Sequence, residues 1–152
     1  MTKIELKRAL FGACTQFLDG RLETVQKHIG DIQESLTSET KSSAGDKHET
    51  GRAILQLERE KAGHQLAEIE RVKQLLQRMD IAKLSETVAL GSVVVTDQAT
   101  YFLAISAGAI QIDNRSYYAI APNTPIGQLL MGKSEGDEVL FRETNMIIRT
   151  IF

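Results

Sequence analysis

The sequence predicts an α+β protein: an N-terminal antiparallel helical coiled-coil hairpin over residues 1–84, then a small α+β sheet domain over residues 85–152. Three observations carry that prediction. Composition turns over near residue 85, from Glu, Lys, Arg, Gln, Leu and Ala without proline to Val, Ile, Tyr, Thr and Gly with both prolines, Pro122 and Pro125. Two apolar seams with helical spacing run through the first part. Short runs with strand spacing fill the second.

The first seam is Phe11, Cys14, Leu18, Leu22, Val25, Ile29, Ile32 and Leu36, with steps that alternate between four and three from Leu18 onward, as in a heptad repeat. The second is Ile54, Leu57, Ala62, Leu66, Ile69, Val72, Leu76 and Met79. Between them, residues 37–51 are polar and hold two glycines, Gly45 and Gly51. Folding the chain back about residue 45 sets Leu36 against Ile54, Ile29 beside Ala62, Val25 beside Leu66, Leu18 against Val72 and Cys14 against Leu76. The seams match throughout, so a hairpin buries both. Each arm is about 30 residues, roughly 45 Å at 1.5 Å per residue. Its tip falls near residues 44–49. An internal hairpin removes the reason to dimerise through a seam, so a monomer is expected.

In the second part, 88–96 is a long β-rich run, and 101–105, 109–112 and 117–120 are shorter ones. Asp113-Asn114-Arg115 reads as a turn. Residues 125–131 read as a short helix, with Thr124 as N-cap, Pro125 at the first helical position and Gly132 at the stop. Residues 138–142 and 146–152 complete the set, joined by a turn at Glu143-Thr144-Asn145.

Several function classes are excluded or disfavoured by composition. A net charge of −2, from 18 Lys and Arg against 20 Asp and Glu, is wrong for coating nucleic acid by bulk positive charge. Trp is absent and aromatics make up 5%, which argues against a large aromatic-lined pocket. The single cysteine, Cys14, cannot form an internal disulfide or a structural zinc site. It occupies a seam position, where a free thiol acts as a small apolar residue. The N-terminus has no continuous apolar stretch of the signal-peptide kind, and no apolar run approaches the roughly 20 residues that span a bilayer. A cytoplasmic protein is expected.

The tip holds the residues with chemistry to offer, Gly45-Asp46-Lys47-His48-Glu49. At a helix start, Asp46 and Glu49 share one face. One reading is a capping box that begins the returning helix, where carboxylates also suit the helix dipole. The other is a pair of carboxylates that holds a divalent cation weakly. Mg²⁺ keeps several waters and usually takes only one or two protein carboxylates, so a partner would complete the site. The readings are compatible, because a cap fixes the side chains that a cation would use. His28, His48 and His64 form no ligand set. Lys41, Lys47, Arg52, Arg59 and Lys61 place positive charge near the tip, usually a solvated face.

These residues resemble the Gre family of bacterial transcription elongation (transcript cleavage) factors. Gly45-Asp46-Lys47-His48-Glu49-Thr50 stands where that family's tip reads Gly-Asp-x-x-Glu-Asn. Thr124-Pro125-Ile126-Gly127-Gln128-Leu129-Leu130-Met131-Gly132-Lys133, then Gly136-Asp137-Glu138-Val139, is similar to its Ser-Pro-Ile-x-x-Ala-Leu-x-Gly-Lys followed by Gly-Asp-x-Val. Length, order of parts and tip position agree over nearly the whole chain. The resemblance implies a coiled-coil hairpin followed by an FKBP-like domain that docks at the secondary channel of RNA polymerase. It further implies that Asp46 and Glu49, as catalytic and metal-site residues, share an Mg²⁺ with the polymerase. The polymerase then hydrolyses backtracked RNA, whose 3′ end the factor meets indirectly. The factor is an accessory rather than an enzyme, and Mg²⁺ is not expected to bind the isolated protein tightly. Thr124 and Pro125 become polymerase-docking residues, with Ile126 packing inside the domain.

The sequence departs from that pattern at Lys47 (family Leu), Thr50 (family Asn) and Gly51-Arg52-Ala53 (family Ala-Glu-Tyr). Positive charge at Lys47 and Arg52 weakens cation capture. That leaves open a second reading, a regulator that occupies the secondary channel without stimulating cleavage. A prolyl isomerase of the FKBP kind is a third, against which stands the lack of Trp. A coiled-coil adaptor without chemistry is a fourth.

Overall fold

A computed structural model describes residues 1–41 and 46–152, the side chains of residues 40, 41 and 46–48 excepted. The elements are α1 (Lys3–Lys41), α2 (Asp46–Gln77), β1 (Val93–Thr96), β2 (Thr100–Leu103), β3 (Gly108–Ile112), β4 (Arg115–Ile120), α3 (Pro125–Leu130), β5 (Glu138–Phe141) and β6 (Thr144–Ile151). The expected order, a helical hairpin and then a sheet with one short helix, is what the chain adopts. By packing it divides into two compact units, Leu18–Gln74 and Met1–Phe17 with Leu75–Phe152. The composition boundary at residue 85 follows residue chemistry. The packing units follow contacts, which group the first turns of α1 with the sheet.

In the Leu18–Gln74 unit, α1 and α2 run antiparallel. Ile29, Ile32 and Ala62 form a buried cluster in it, with Val25, Leu36, Leu55 and Leu66 packed against them. Lys73 on α2 lies 3.7 Å from Asp19 on α1, and the Glu39 carboxylate lies against Gly51. As one partner's number rises the other's falls, as an antiparallel pair requires. The α1 seam is as read. The α2 seam is corrected at its start: Ile54 and Leu57 are 55% and 54% exposed, and Leu55 packs instead. Counting in steps of four and three from Leu55 gives Arg59, Ala62, Leu66, Ile69, Lys73 and Leu76, all buried or half-buried. Arg59 and Lys73 are polar residues at seam positions, a device that fixes register at some cost in stability.

At the N-terminus a reciprocal capping box starts α1. Glu5 N donates to Thr2 Oγ1 at 3.1 Å, and Thr2 N donates to Glu5 Oε2 at 3.1 Å. One turn on, Lys7 is 1% exposed, and its Nζ donates to the Lys83 carbonyl at 3.1 Å. Burial lowers its pKa from the usual 10.5, and the charge of Asp80 opposes that. The Lys83 carbonyl takes one of three ammonium donors, so desolvation outweighs what the bond returns. Lys7→Met is therefore expected to stabilise the protein by about 1 kcal/mol, read as a raised denaturant midpoint. Lys7→Ala, which leaves a cavity, is expected to destabilise it by about 2 kcal/mol. The wild type should also gain stability as pH rises from the lowered folded value to 10.5, since the unfolded chain holds more protons in that window. Lys7→Met should abolish that component.

The sheet has the order β3-β4-β2-β1-β6-β5. The β2–β4 pair is parallel and every other pair antiparallel. Its core gathers Val88, Val94, Leu103, Ile126, Leu130, Val139, Met146, Ile148 and Ile151, so α3 closes one face. Two hairpins turn on two residues each, Asp113-Asn114 and Arg142-Glu143, all four with positive φ. That is the mirror-image turn whose twist suits antiparallel strands. The second turn is thus one residue earlier than expected, and Thr144 and Asn145 belong to β6. The expected 88–96 run is also shorter: Gly91 at φ +91 breaks it, and pairing as β1 begins at Val93.

Candidate functional site

α2 begins at Asp46, so the Gly-Asp-x-x-Glu motif spans the start of a helix. Gly45 and the Asp46 side chain, and with them the expected capping box, lie outside the described residues. Glu49 lies within the first turn and is exposed. Carboxylates at that end are favoured by the helix dipole, by about 0.3–1 kcal/mol each. Among the described residues no group of three or more His, Cys, Asp or Glu gathers as a metal site. The sequence reading overlooked Glu39. It is half-buried, and its carboxylate sits 3.4 Å from where a Cβ on Gly51 would stand. Gly51, which departs from the family pattern, makes room for it. Continuing the α1 seam three residues past Leu36 would have found it.

The second motif is an architectural one. Thr124 Oγ1 accepts from Gly127 N at 3.1 Å and donates to the Ala121 carbonyl at 2.7 Å, so the expected N-cap is in place. That cap is worth about 1 kcal/mol. Pro125 occupies the first turn and is exposed, while Ile126 is buried in the core as expected. Gly132 N then donates to the Val88 carbonyl at 2.8 Å, and Val88 N to the Lys133 carbonyl at 2.9 Å. Asp137 Oδ2 accepts from Ser134 N at 2.8 Å, and Gly136 N donates to the Ile148 carbonyl at 2.8 Å. The Gly-Lys and Gly-Asp pairs thus tie the end of α3 to residue 88 and to β6. Of the two docking candidates, Thr124 spends its hydroxyl inside the fold, and Pro125 offers its ring to the surface.

Cys14 is fully buried, and burial pushes its thiol up to about 12. A neutral, enclosed thiol is no nucleophile. The folded protein is expected to react with an aromatic disulfide reagent at least about 100-fold more slowly than the denatured chain. Because the folded pKa lies above the unfolded 9.0, this group's contribution to stability is present below pH 9 and is lost as pH rises toward 12.

These parts define a class: an α+β protein with a helical hairpin unit and a six-stranded mixed sheet carrying one short helix. No family model matches the chain, and no curated protein does. Solved structures similar to it include the GreA factor homolog 1 (Gfh1) protein of Thermus thermophilus, at 18% identity and a TM-score of 0.36, covering 89% of this chain and 92% of that one. Another is the transcription factor Gfh1, at 19% identity and a TM-score of 0.34, covering 88% of each chain. At those values the fold rests on the helices and strands described above. Among the described residues, no helix is long and apolar enough to cross a membrane.

Proposed function

We propose that this protein is a transcription elongation factor that binds RNA polymerase at its secondary channel and stimulates Mg²⁺-dependent cleavage of backtracked RNA. The observation that carries the reading is the placement of the Gly-Asp-x-x-Glu motif at the start of the second arm of a helical hairpin, with Glu49 exposed. The second motif, folded as the cap of α3 and the loop behind it, accompanies it in the same chain order. The mechanism is one of delivery. The hairpin carries Asp46 and Glu49 to the polymerase active centre, where they add two negative charges to the polymerase's own. Asp46 and Glu49 would hold a shared Mg²⁺ together with the polymerase's ligands, and the ion would supply Lewis acidity toward the phosphodiester and the attacking water. The tip's share is to offer two carboxylates, three residues apart in the first turn of α2, to a site that neither partner closes alone.

The test is RNA cleavage in stalled elongation complexes of the native polymerase, with and without the protein. Release of short 3′ RNA fragments only when it is added supports the reading. The second reading, a channel-binding regulator without cleavage, is favoured by Lys47, Thr50 and Arg52 in place of the family's Leu, Asn and Glu. A protein that binds the polymerase and releases no fragments selects it.

A further inference from the structure

The seam between α1 and α2 changes character toward the tip. On α1 it steps three residues from Leu36 to Glu39, and on α2 it steps back four from Leu55 to Gly51. Leu36 and Leu55 pack against the apolar cluster at Ile29, Ile32 and Ala62. Glu39 and Gly51 follow them with a carboxylate set against bare backbone. The Cδ, Oε1 and Oε2 atoms of Glu39 stand 3.4, 3.5 and 3.4 Å from where a Cβ on Gly51 would be. Those near-equal distances set the carboxylate face-on to Gly51, in the place a side chain would fill. Both residues are half-buried.

That contact marks the side of α2 that faces α1. Successive residues of a helix are about 100° apart around its axis. Leu55, Arg59 and Ala62 continue the Gly51 side, and each is buried or half-buried. Glu49 stands two residues before Gly51, about 200° round, so it lies on the side turned from α1, and it is exposed. A rotation of this turn by one residue step would swing Glu49 by about 100°. Glycine weakens the helix just where its end is prone to fray, so the turn depends on a restraint from outside. A carboxylate is well suited to supply it, since the N-terminal end of a helix carries partial positive charge.

We propose that Glu39 is a positioning residue for the tip: seated on Gly51, it holds the first turns of α2 at the rotation that presents Glu49 outward to a cation held by the partner. It acts by occupying that seat, through Glu49, and not as a ligand of the cation. Its effect on cleavage rests on the function proposed above; its restraint on α2 does not.

The test compares Glu39→Ala, Glu39→Gln and Gly51→Leu in the full chain. Leucine at 51 fills the carboxylate's seat and replaces a helix-weakening glycine, so that variant should fold. The first measurement needs no polymerase. Amide exchange at Thr50, Gly51 and Arg52 in the free protein is expected to speed by about tenfold in Glu39→Ala and to stay within about twofold in Glu39→Gln, which keeps the shape. The second is made in stalled elongation complexes. Glu39→Ala and Gly51→Leu are expected to raise the Mg²⁺ concentration for half-maximal cleavage about fivefold, with polymerase binding and thermal midpoint close to wild type, and Glu39→Gln to restore most of the loss. Unchanged exchange in Glu39→Ala overturns the proposal, as does an unaltered Mg²⁺ dependence in Glu39→Ala and Gly51→Leu. So does a Glu39→Gln protein as impaired as Glu39→Ala, which would show that the carboxylate acts by its charge. A wild type that cleaves nothing sinks the cleavage reading alone, and the exchange rates then decide whether Glu39 holds the turn.

Discussion

Replacing Asp46 with Asn and Glu49 with Gln together is expected to lower stimulated RNA cleavage by about 100-fold or more, while polymerase binding stays within about twofold. Both substitutions keep volume and remove charge, so they separate electrostatics from shape. The hairpin should survive them. Losing each carboxylate from the first turn of α2 costs about 0.3–1 kcal/mol. The buried cluster at Ile29, Ile32 and Ala62 is untouched. Lys47→Leu should act in the opposite sense, lowering the Mg²⁺ concentration needed for half-maximal cleavage, because a cation beside the carboxylates opposes capture of another. Fragment length and yield in stalled complexes, with a binding competition run alongside, measure both effects. Undiminished cleavage by the double variant would remove the metal role from the tip. Absent cleavage by the wild type, with binding intact, would select the regulator that only occupies the channel.

The hairpin was legible because burial leaves a period. Every α1 seam residue from Leu18 to Leu36 keeps its step of three or four, and the structure buries or half-buries each. The α2 seam was misread at its start for a local reason. Ala53-Ile54-Leu55-Gln56-Leu57 offers apolar residues on several faces at once, and the seam position that would have chosen among them is Arg59. A polar residue in the core hides the phase from any reading by hydrophobicity. Lys7 and Lys73 escaped notice in the same way. In the sheet, the short helix was legible through its cap, its proline and Gly132, each of which has a backbone reason to be there. The Arg142-Glu143 turn was not, because neither residue is a usual choice for positive φ and the more polar Thr144-Asn145 drew attention one step along. At the tip, residue types and spacing were legible. Glu39 was passed over because the α1 seam was followed only as far as its last apolar residue, Leu36, one step of three short of it.

Gly127→Ala is expected to be the most damaging single-methyl change in the sheet unit, destabilising it by about 3 kcal/mol or more as α3 detaches. A Cβ on Gly127 would overlap the Ala121 carbonyl oxygen, and it would stand 2.9 Å from Thr124 Oγ1 and 3.0 Å from Pro122 Cα. Two of the three obstacles are backbone. The third is the cap hydroxyl, which is already bonded to Ala121 O and Gly127 N. Nothing there can swing aside, so relief requires moving the 121–124 turn away from α3. That movement breaks the cap and unseats Ile126 and Leu130 from the core. Gly132 is the control. It has φ +79 and nothing within 4 Å of where a Cβ would stand, so Gly132→Ala meets only backbone strain, about 1 kcal/mol. Thermal melts of the two variants should therefore differ by about 2 kcal/mol even though each adds the same methyl group. Equal melts would show that the turn before α3 yields, and that close approach of backbone to backbone is not what requires glycine at 127.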